Sequence, residues 1–155
     1  MEIFKQDIVC RLGDGSHRED VAFLIVRDGI VRGGTGDGAS VPHSPSHPLK
    51  LYNGKTGAEL ASRCYQLTCE EADPRELFER ALFQANDRIR LIHQALMDLE
   101  GTEPGSNLHG LCFGAFEVNP VYVRIFWAGD ALVFVRFKDG RVWMSENEMR
   151  EHDNE

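Results

Sequence analysis

The feature of this sequence that most limits the possible folds is a long apolar stripe between residues 73 and 101. This stripe has the three- and four-residue spacing of an amphipathic helix, which would run for about seven turns. Asp73, Pro74 and Glu76 are residue types of a capped helix start, and Gly101 is typical of a helix end. A helix with one apolar face needs another layer of the fold to cover it. The apolar positions are Phe78, Ala81, Leu82, Ala85, Ile89, Ile92, Leu96 and Leu99.

A β-hairpin is predicted ahead of the helices. An apolar run at 21–26 leads into an Asp28-Gly29 turn, and a second strand then ends at Asp37-Gly38. Glycine supplies the positive φ that such a tight turn needs. A weaker pattern at 3–10 predicts an opening strand.

The remaining elements indicate the fold class. We expect Asn53 to cap a first helix over about 55–68. The run at 121–127 is apolar on both faces except at Arg124, so we interpret it as a central strand covered on each side. Strands followed by two helices and then by hairpin-connected strands predict an α+β fold, with helices layered on an antiparallel sheet. The strands predicted after the helices are 108–118, 121–127, 131–137 and 141–144.

Composition narrows the class of protein. The 155 residues fit one domain, which we place at 1–145 with an acidic tail at 146–155. A net charge of -8 argues against binding to nucleic acid or to an acidic membrane. No apolar run approaches the ~20 residues of a membrane span, and the first residues lack the order of a signal peptide. The four cysteines have no zinc-type spacing, so we expect reduced thiols in a cytoplasmic protein.

Acidic residues lie at both ends of the predicted hairpin. Glu19 and Asp20 precede its first strand, and Asp37 ends its second strand beside Gly38. If the two strands pair, Asp20 and Asp37 lie near the same end of the sheet. Clustered carboxylates repel one another, and a hard cation is the usual relief.

Four segments occur in the order seen in a known family. They are Glu19-Asp20, Asp37-Gly38, the two-helix segment and the hairpin at 126–131. In this respect the chain resembles the metal-dependent protein phosphatases, the type 2C serine/threonine phosphatases. In that family a Glu-Asp pair, an Asp-Gly pair, two long antiparallel helices and a Gly-Asp hairpin follow one another. The resemblance covers about residues 12–145 and only the front part of the family domain.

The resemblance implies a four-layer fold, an antiparallel β-sandwich flanked by helices, which is abbreviated at its C-terminal end. It also implies that Asp37 bridges two Mg²⁺ or Mn²⁺ ions and that the Gly38 carbonyl binds one of them. Glu19 or Asp20 would act mostly through metal-bound water, and Asp130 would contact a weaker third ion. The implied activity is hydrolysis of phosphoserine or phosphothreonine in a protein substrate by metal-activated water.

The chain also departs from the family pattern. The family's phosphate-binding arginine lies four residues before the glutamate, where this sequence has Gly15. We therefore assign the phosphate contact to Arg18, with His17 and Arg11 as alternatives. The turn at 129–132 lacks the family's serine and arginine, and two further metal-binding aspartates have no counterpart. We expect a fragment, a reduced relative, or one half of an assembly whose sheets an oligomer or a second chain completes.

A different class of function stays open beside the enzyme. Asp37 and Asp130 are also ordinary turn residues beside glycine, and Glu19 with Asp20 also fits a solvated pair at the start of a strand. On that interpretation the chain is a catalytically inactive binding or regulatory module that acts on a protein partner and lacks the full metal site.

Overall fold

The computed structural model describes residues 19–39, 51–100 and 110–145. The predicted opening strand at 3–10, Arg18 and the predicted tail at 146–155 lie outside these residues. The elements in chain order are the strands β1 (Val21–Arg27) and β2 (Ile30–Ala39), the helices α1 (Gly57–Glu71) and α2 (Phe78–Glu100), and the strands β3 (Gly110–Val118), β4 (Val123–Ala128), β5 (Phe134–Arg136) and β6 (Val142–Met144).

The strands form two antiparallel units. The first is a four-stranded sheet in the order β1-β2-β3-β4, and the second is the two-stranded hairpin β5-β6. The α+β class and the antiparallel pairing are therefore confirmed. Within the described residues, however, the predicted four-layer sandwich is not seen: one sheet, one hairpin and a pair of packed helices are present.

The turn between β1 and β2 determines how these two strands align. Asp28 has φ 51° and Gly29 has φ 75°, so both turn residues lie in the left-handed region. This is the backbone of a two-residue hairpin turn whose twist matches that of its strands. The resulting register pairs Val21 with Gly36 at the far end of the hairpin.

The helices cover one face of the four-stranded sheet. Tyr65 of α1 packs on the sheet, with its ring centroid 5.6 Å from that of Phe23 in β1. A Cβ at Gly34 would lie only 2.7 Å from the Tyr65 hydroxyl oxygen, so the close approach of α1 requires glycine there. Burial of each large apolar side chain contributes about 1.5–3 kcal/mol to stability. The buried cluster comprises Phe23, Tyr65, Cys69, Phe78, Ala81, Ala85 and Ala115.

The first helix begins later than predicted. Asn53 and Gly54, with φ 52° and 80°, form a tight turn, so the prediction of Asn53 as the cap is wrong. Thr56 is the N-cap, and its hydroxyl oxygen accepts the backbone N–H of Glu59 at 3.0 Å. Asn and Gly readily adopt the left-handed backbone of such a turn. The helix therefore begins after the turn, where the hydroxyl group of Thr56 provides the cap.

The second helix begins at Phe78, so the predicted start at Asp73 is also wrong. The buried Arg32 guanidinium is the physical reason. It donates to the carbonyl oxygens of Asp73 at 3.0 Å, of Pro74 at 3.1 Å and of Glu76. The Asp73 carbonyl oxygen also accepts the N–H of Glu76, three residues along the chain, at 3.1 Å, so this segment forms a turn held by Arg32 and not the first turn of α2.

The prediction that 121–127 is a central strand is wrong for the sheet that the structure describes. β2 and β3 are the inner strands, and β4 lies at the edge. Both faces of β4 are nevertheless contacted. Phe126 packs on Phe78 of α2 with ring centroids 5.9 Å apart, and Trp127 packs on Trp143 of β6, also at 5.9 Å. These two contacts explain why an edge strand has the apolar pattern of a central one.

The described cysteines, Cys64, Cys69 and Cys112, are free thiols. Burial raises the pKa of the Cys69 thiol to about 12, so this group stays protonated and packs as a small apolar side chain. Neither α1 nor α2, the helices in the described part of the chain, has the length and apolar character needed to cross a membrane.

Candidate functional site

Three of the predicted metal ligands lie at one end of the four-stranded sheet. Asp20 directly precedes Val21, which pairs with Gly36, so Asp20 lies across the hairpin from Asp37. Asp130 lies in the turn that follows β4. Asp20, Asp37 and Asp130 line one cleft of about 480 Å³, termed here the acid cleft.

The negative charges around the acid cleft act on Asp37. Partial burial of its carboxyl group, a side-chain hydrogen bond with Asp20 and the charges of Asp20, Asp130 and Glu19 all raise the pKa of Asp37 above its ordinary value. Each of these causes disfavours the ionised carboxylate. A hard divalent cation would have the opposite effect, because carboxylate oxygens are its preferred ligands.

Glu19 lies beside the acid cleft and is held by the start of α1. The Thr56 hydroxyl donates a hydrogen bond of 2.6 Å to Oε1 of Glu19. The same hydroxyl oxygen caps α1 by accepting the N–H of Glu59. One threonine therefore links the helix start to the segment that enters β1.

Gly38 is buried where β2 packs on α1. A Cβ at this position would collide with Oγ of Ser62 and would lie 2.8 Å from the Ala58 carbonyl oxygen. This close approach alone accounts for glycine at this position. The predicted binding of a metal ion by the Gly38 carbonyl stays a prediction.

Sequence reasoning missed Cys112, which also lines the acid cleft. Cys112 pairs directly with Asp37 in the register of β2 and β3. Burial raises the pKa of its thiol; the Asp130 side chain and the charge of Asp37 add to this effect, and a backbone hydrogen bond at Asp130 opposes it. The strand pattern places Cys112 in a strand, but no local signal gives its partner across two intervening helices.

The donor chemistry of the acid cleft fits a hard divalent ion, since Asp20, Asp37 and Asp130 present carboxylate oxygens. Across residues 19–39, 51–100 and 110–145, no three or more His, Cys, Asp or Glu side chains are grouped so that they could hold a metal ion. A side-chain hydrogen bond joins Asp20 and Asp37, and the charge of Asp130 also acts on Asp37. The metal-binding roles of the predicted ligands therefore stay predictions.

A second cleft, termed here the adjoining cleft, shares part of its wall with the acid cleft. It has a volume of about 280 Å³ and shares Asp20, Val21 and Ala22 with the acid cleft. Lys55 and Arg63 contribute basic groups to its wall. Sequence reasoning did not single out Arg63, because a basic residue on a helix surface carries no local signal of a cleft.

A buried ion pair lies toward the other end of the same sheet. Arg32 of β2 and Glu117 of β3 are 3% and 1% exposed, and Nε of Arg32 donates to Oε2 of Glu117 at 2.7 Å. The Tyr122 hydroxyl donates to Oε1 of Glu117 at 2.9 Å. The Arg32 guanidinium also lies 5.1 Å from the ring centroid of Phe78. This network, which the sequence analysis also missed, ties the connection between the helices to the sheet.

Comparison of the chain with protein-family models, curated proteins and solved structures found no match. The functional proposal therefore depends on the residues themselves. Its foundation is the meeting of Asp20, Asp37 and Asp130, from three separate segments, in one cleft.

Proposed function

We propose that this chain is a metal-dependent phosphatase similar to the type 2C enzymes, which hydrolyses phosphoserine or phosphothreonine in a protein substrate. The observation that carries the proposal is the acid cleft, in which Asp20, Asp37 and Asp130 come together from three separate segments of the chain. A protein that places like charges together without a cation lowers its own stability. Such an arrangement is typical of a site that binds Mg²⁺ or Mn²⁺.

The position of Asp37 in the sheet supports a site between two layers of strands. Gly34 and Gly36 of β2 face Tyr65 of α1, since a Cβ at either position would contact that side chain. Side chains alternate along a strand, so Asp37 lies on the face away from the helices. In the proposed four-layer fold this face is the inner one, where the resemblance puts the metal centre.

The hairpin β5-β6 supports the same arrangement. A Cβ at Gly114 of β3 would lie 2.9 Å from the Val133 side chain, and Trp143 of β6 packs on Trp127 of β4. The segment that forms the hairpin therefore lies over the face of the sheet that carries Asp37. We propose that this hairpin belongs to the second sheet of a four-layer fold, and that an oligomer partner or a second chain completes that sheet.

The chemistry divides between the ions and the chain. When bound, a pair of Mg²⁺ or Mn²⁺ ions would neutralise phosphate oxygens and lower the pKa of a water molecule enough for it to attack near neutral pH. Asp37 would hold both ions, and Asp130 would add a ligand to a weaker third ion. Asp20 and Glu19 would accept hydrogen bonds from the attacking water and its neighbours. Thr56 would act as a positioning residue, because its hydroxyl group fixes the Glu19 carboxylate.

The test is Mn²⁺-dependent hydrolysis of a phosphoserine peptide and of p-nitrophenyl phosphate. We expect Asp37→Asn to lower kcat/KM by about a hundredfold or more, since the loss of even an indirect metal contact costs about 10–100-fold. Asp87→Asn, which removes an exposed carboxylate from α2, is the matched control and should leave the rate unchanged. Equal rates for the chain and Asp37→Asn, with no dependence on Mn²⁺, would refute the proposal.

The second candidate is an inactive binding or regulatory module with the same fold. Two departures favour it: Gly15 stands in the slot of the family's phosphate-binding arginine, and Ala131 stands in that of the serine after the Gly-Asp pair. The two functions differ in metal uptake. Calorimetry that shows no Mn²⁺ binding at millimolar metal, for a chain that unfolds cooperatively, would favour the module over the enzyme.

A further inference from the structure

The two clefts at the acidic end of the sheet share one wall at the start of β1, an edge strand of the sheet. Asp20, Val21 and Ala22 belong to the walls of both clefts. An extended ligand that crosses the start of β1 would therefore occupy the acid cleft and the adjoining cleft together. The acid cleft presents three carboxylates, whereas the adjoining cleft sets Lys55 and Arg63 beside the carboxylates of Asp20 and Glu59.

Arg63 of α1 is linked to β1 through hydrogen bonds of the Gln66 side chain. Its Nη1 donates to the side-chain oxygen of Gln66, and Nε2 of Gln66 donates to the Ala22 carbonyl oxygen at 3.1 Å. Gln66 therefore connects the arginine on α1 to the backbone of β1 beside Asp20. A guanidinium has five N–H donors in a fixed fork, and the described hydrogen bond to Gln66 uses one of them.

The positive charge of Lys55 is already paired within the protein. Its ammonium group forms an ion pair with Glu59, four residues further along the chain. The ion pairs of the described residues include none that involves Arg63. In the described part of the chain, Arg63 is thus the basic side chain of the adjoining cleft with which an anionic ligand can form an ion pair.

We propose that the adjoining cleft recognises an acidic side chain that flanks the phosphorylated residue of the substrate, with Arg63 as the specificity-determining residue and Gln66 as a positioning residue. This inference rests on the proposed function for the phosphorylated residue in the acid cleft. The carboxylate of the flanking residue accepts two parallel hydrogen bonds from the Arg63 fork, a geometry that a lysine cannot provide.

The net negative charge of the chain alone would not produce a preference for acidic peptides. A net charge of -8 attracts basic peptides and repels acidic ones. A preference for acidic flanking residues therefore requires a local cation in contact with them. Removal of Arg63 should reverse the preference, because only the general negative field would then act on the peptide.

The experiment measures binding and hydrolysis separately. Three fluorescent phosphoserine peptides that differ only in their flanking residues (Glu, Ala or Lys) are titrated with the full chain, with fluorescence anisotropy as the readout. We expect the Glu-flanked peptide to bind most tightly, and Arg63→Ala to weaken its binding by about tenfold, as expected for a charged hydrogen bond. Arg63→Lys should restore only part of the loss. Arg80→Ala, at an exposed arginine of α2, is the control and should retain the preference.

The outcomes separate this inference from the proposed function. Loss of the preference for Glu in Arg63→Ala supports the inference, whether or not any peptide is hydrolysed. An unchanged preference in Arg63→Ala overturns it, and so does a chain that binds none of the peptides or binds the Lys-flanked peptide best. Mn²⁺-dependent hydrolysis of p-nitrophenyl phosphate without any preference among the peptides would leave the proposed function standing and refute the inference alone.

Discussion

The two ends of the four-stranded sheet use charge in opposite ways. Toward the hairpin turn, Arg32 and Glu117 pair in the protein interior. At the other end, Asp20 and Asp37 share a hydrogen bond within reach of the charge of Asp130. The two groups lie about 17 Å apart along β2, at about 3.3 Å per residue. One strand therefore carries an opposite-charge pair and a like-charge cluster.

The difference distinguishes an end whose charges are neutralised within the protein from the end that we propose as a ligand site. Arg32 donates to Glu117 and to three backbone carbonyls, so the buried charge is met by acceptors within the protein. The pKa of Asp37 is raised, which means that the folded chain disfavours the ionised form that a metal ion needs. Proteins commonly accept such a loss of stability at sites that bind or react.

We expect Arg32→Met to change the free energy of unfolding more than any other substitution considered at the two ends of the sheet. The substitution leaves Glu117 buried without its partner, and it removes the donor that holds the carbonyls of the helix connection. Breaking a buried ion pair costs about 3–5 kcal/mol, so we expect a loss of that size in the free energy of unfolding. Urea denaturation measures it.

A double variant sharpens the same test. Arg32→Met combined with Glu117→Leu removes the unpaired charge and should recover part of the loss, because apolar replacement of a whole ion pair is often neutral. Arg80→Ala is the control at an exposed arginine. A destabilisation by Arg32→Met of less than about 1 kcal/mol, as for ordinary surface changes, would show that the ion pair does not hold the fold together.

At the acidic end of the sheet, a substitution that removes a charge should stabilise the fold. In EDTA at neutral pH, Asp37→Asn removes one of the mutually repelling charges and should raise the free energy of unfolding. The gain should stay below about 1 kcal/mol, because solvent screens charges on an exposed side chain. Thermal unfolding of the two chains measures the change. A lower melting temperature for Asp37→Asn, with Asp87→Asn unchanged, would mean that the cluster stabilises the fold and is not a strained site.

The contrast between the two ends also shows what the sequence can predict. The Asp28-Gly29 turn is a local signal, and a two-residue turn determines the register of its strands. That register was enough to bring Asp20 and Asp37 together. The pairing of Arg32 with Glu117 joins residues 85 positions apart, and no local pattern contains it.

The errors in the helix starts have the same origin. Asp73 and Pro74 are suitable residues for a helix start, but Arg32 binds the carbonyls of this segment and the helix begins at Phe78. A contact from a distant strand thus overrides a local preference. The edge position of β4 is a similar case, since its apolar faces are covered by α2 and by the hairpin and not by flanking strands.

We expect the smallest change in the free energy of unfolding from substitution of Asp73, which lies on the surface beside the Arg32 network. Its side-chain hydrogen bond with Arg75 holds the pKa of Asp73 at about 2, below its ordinary value of 3.8. A lowered pKa in the folded state adds stability above pH 3.8, and this contribution is lost as the pH falls from 3.8 to about 2. Asp73→Asn should therefore be slightly less stable than the unchanged chain at neutral pH and equal to it near pH 2. Urea denaturation at several pH values measures the difference in the free energy of unfolding. A difference that persists in acid would contradict this account.

The most direct test of the central claim, that the acid cleft binds divalent cations, is a Mn²⁺ titration followed by electron paramagnetic resonance of the free ion. We expect the chain and Asp87→Asn to take up Mn²⁺ equally, and Asp37→Asn to bind it about tenfold or more weakly. Equal uptake by Asp37→Asn and the unchanged chain, or no uptake by the unchanged chain at millimolar Mn²⁺, would contradict the claim.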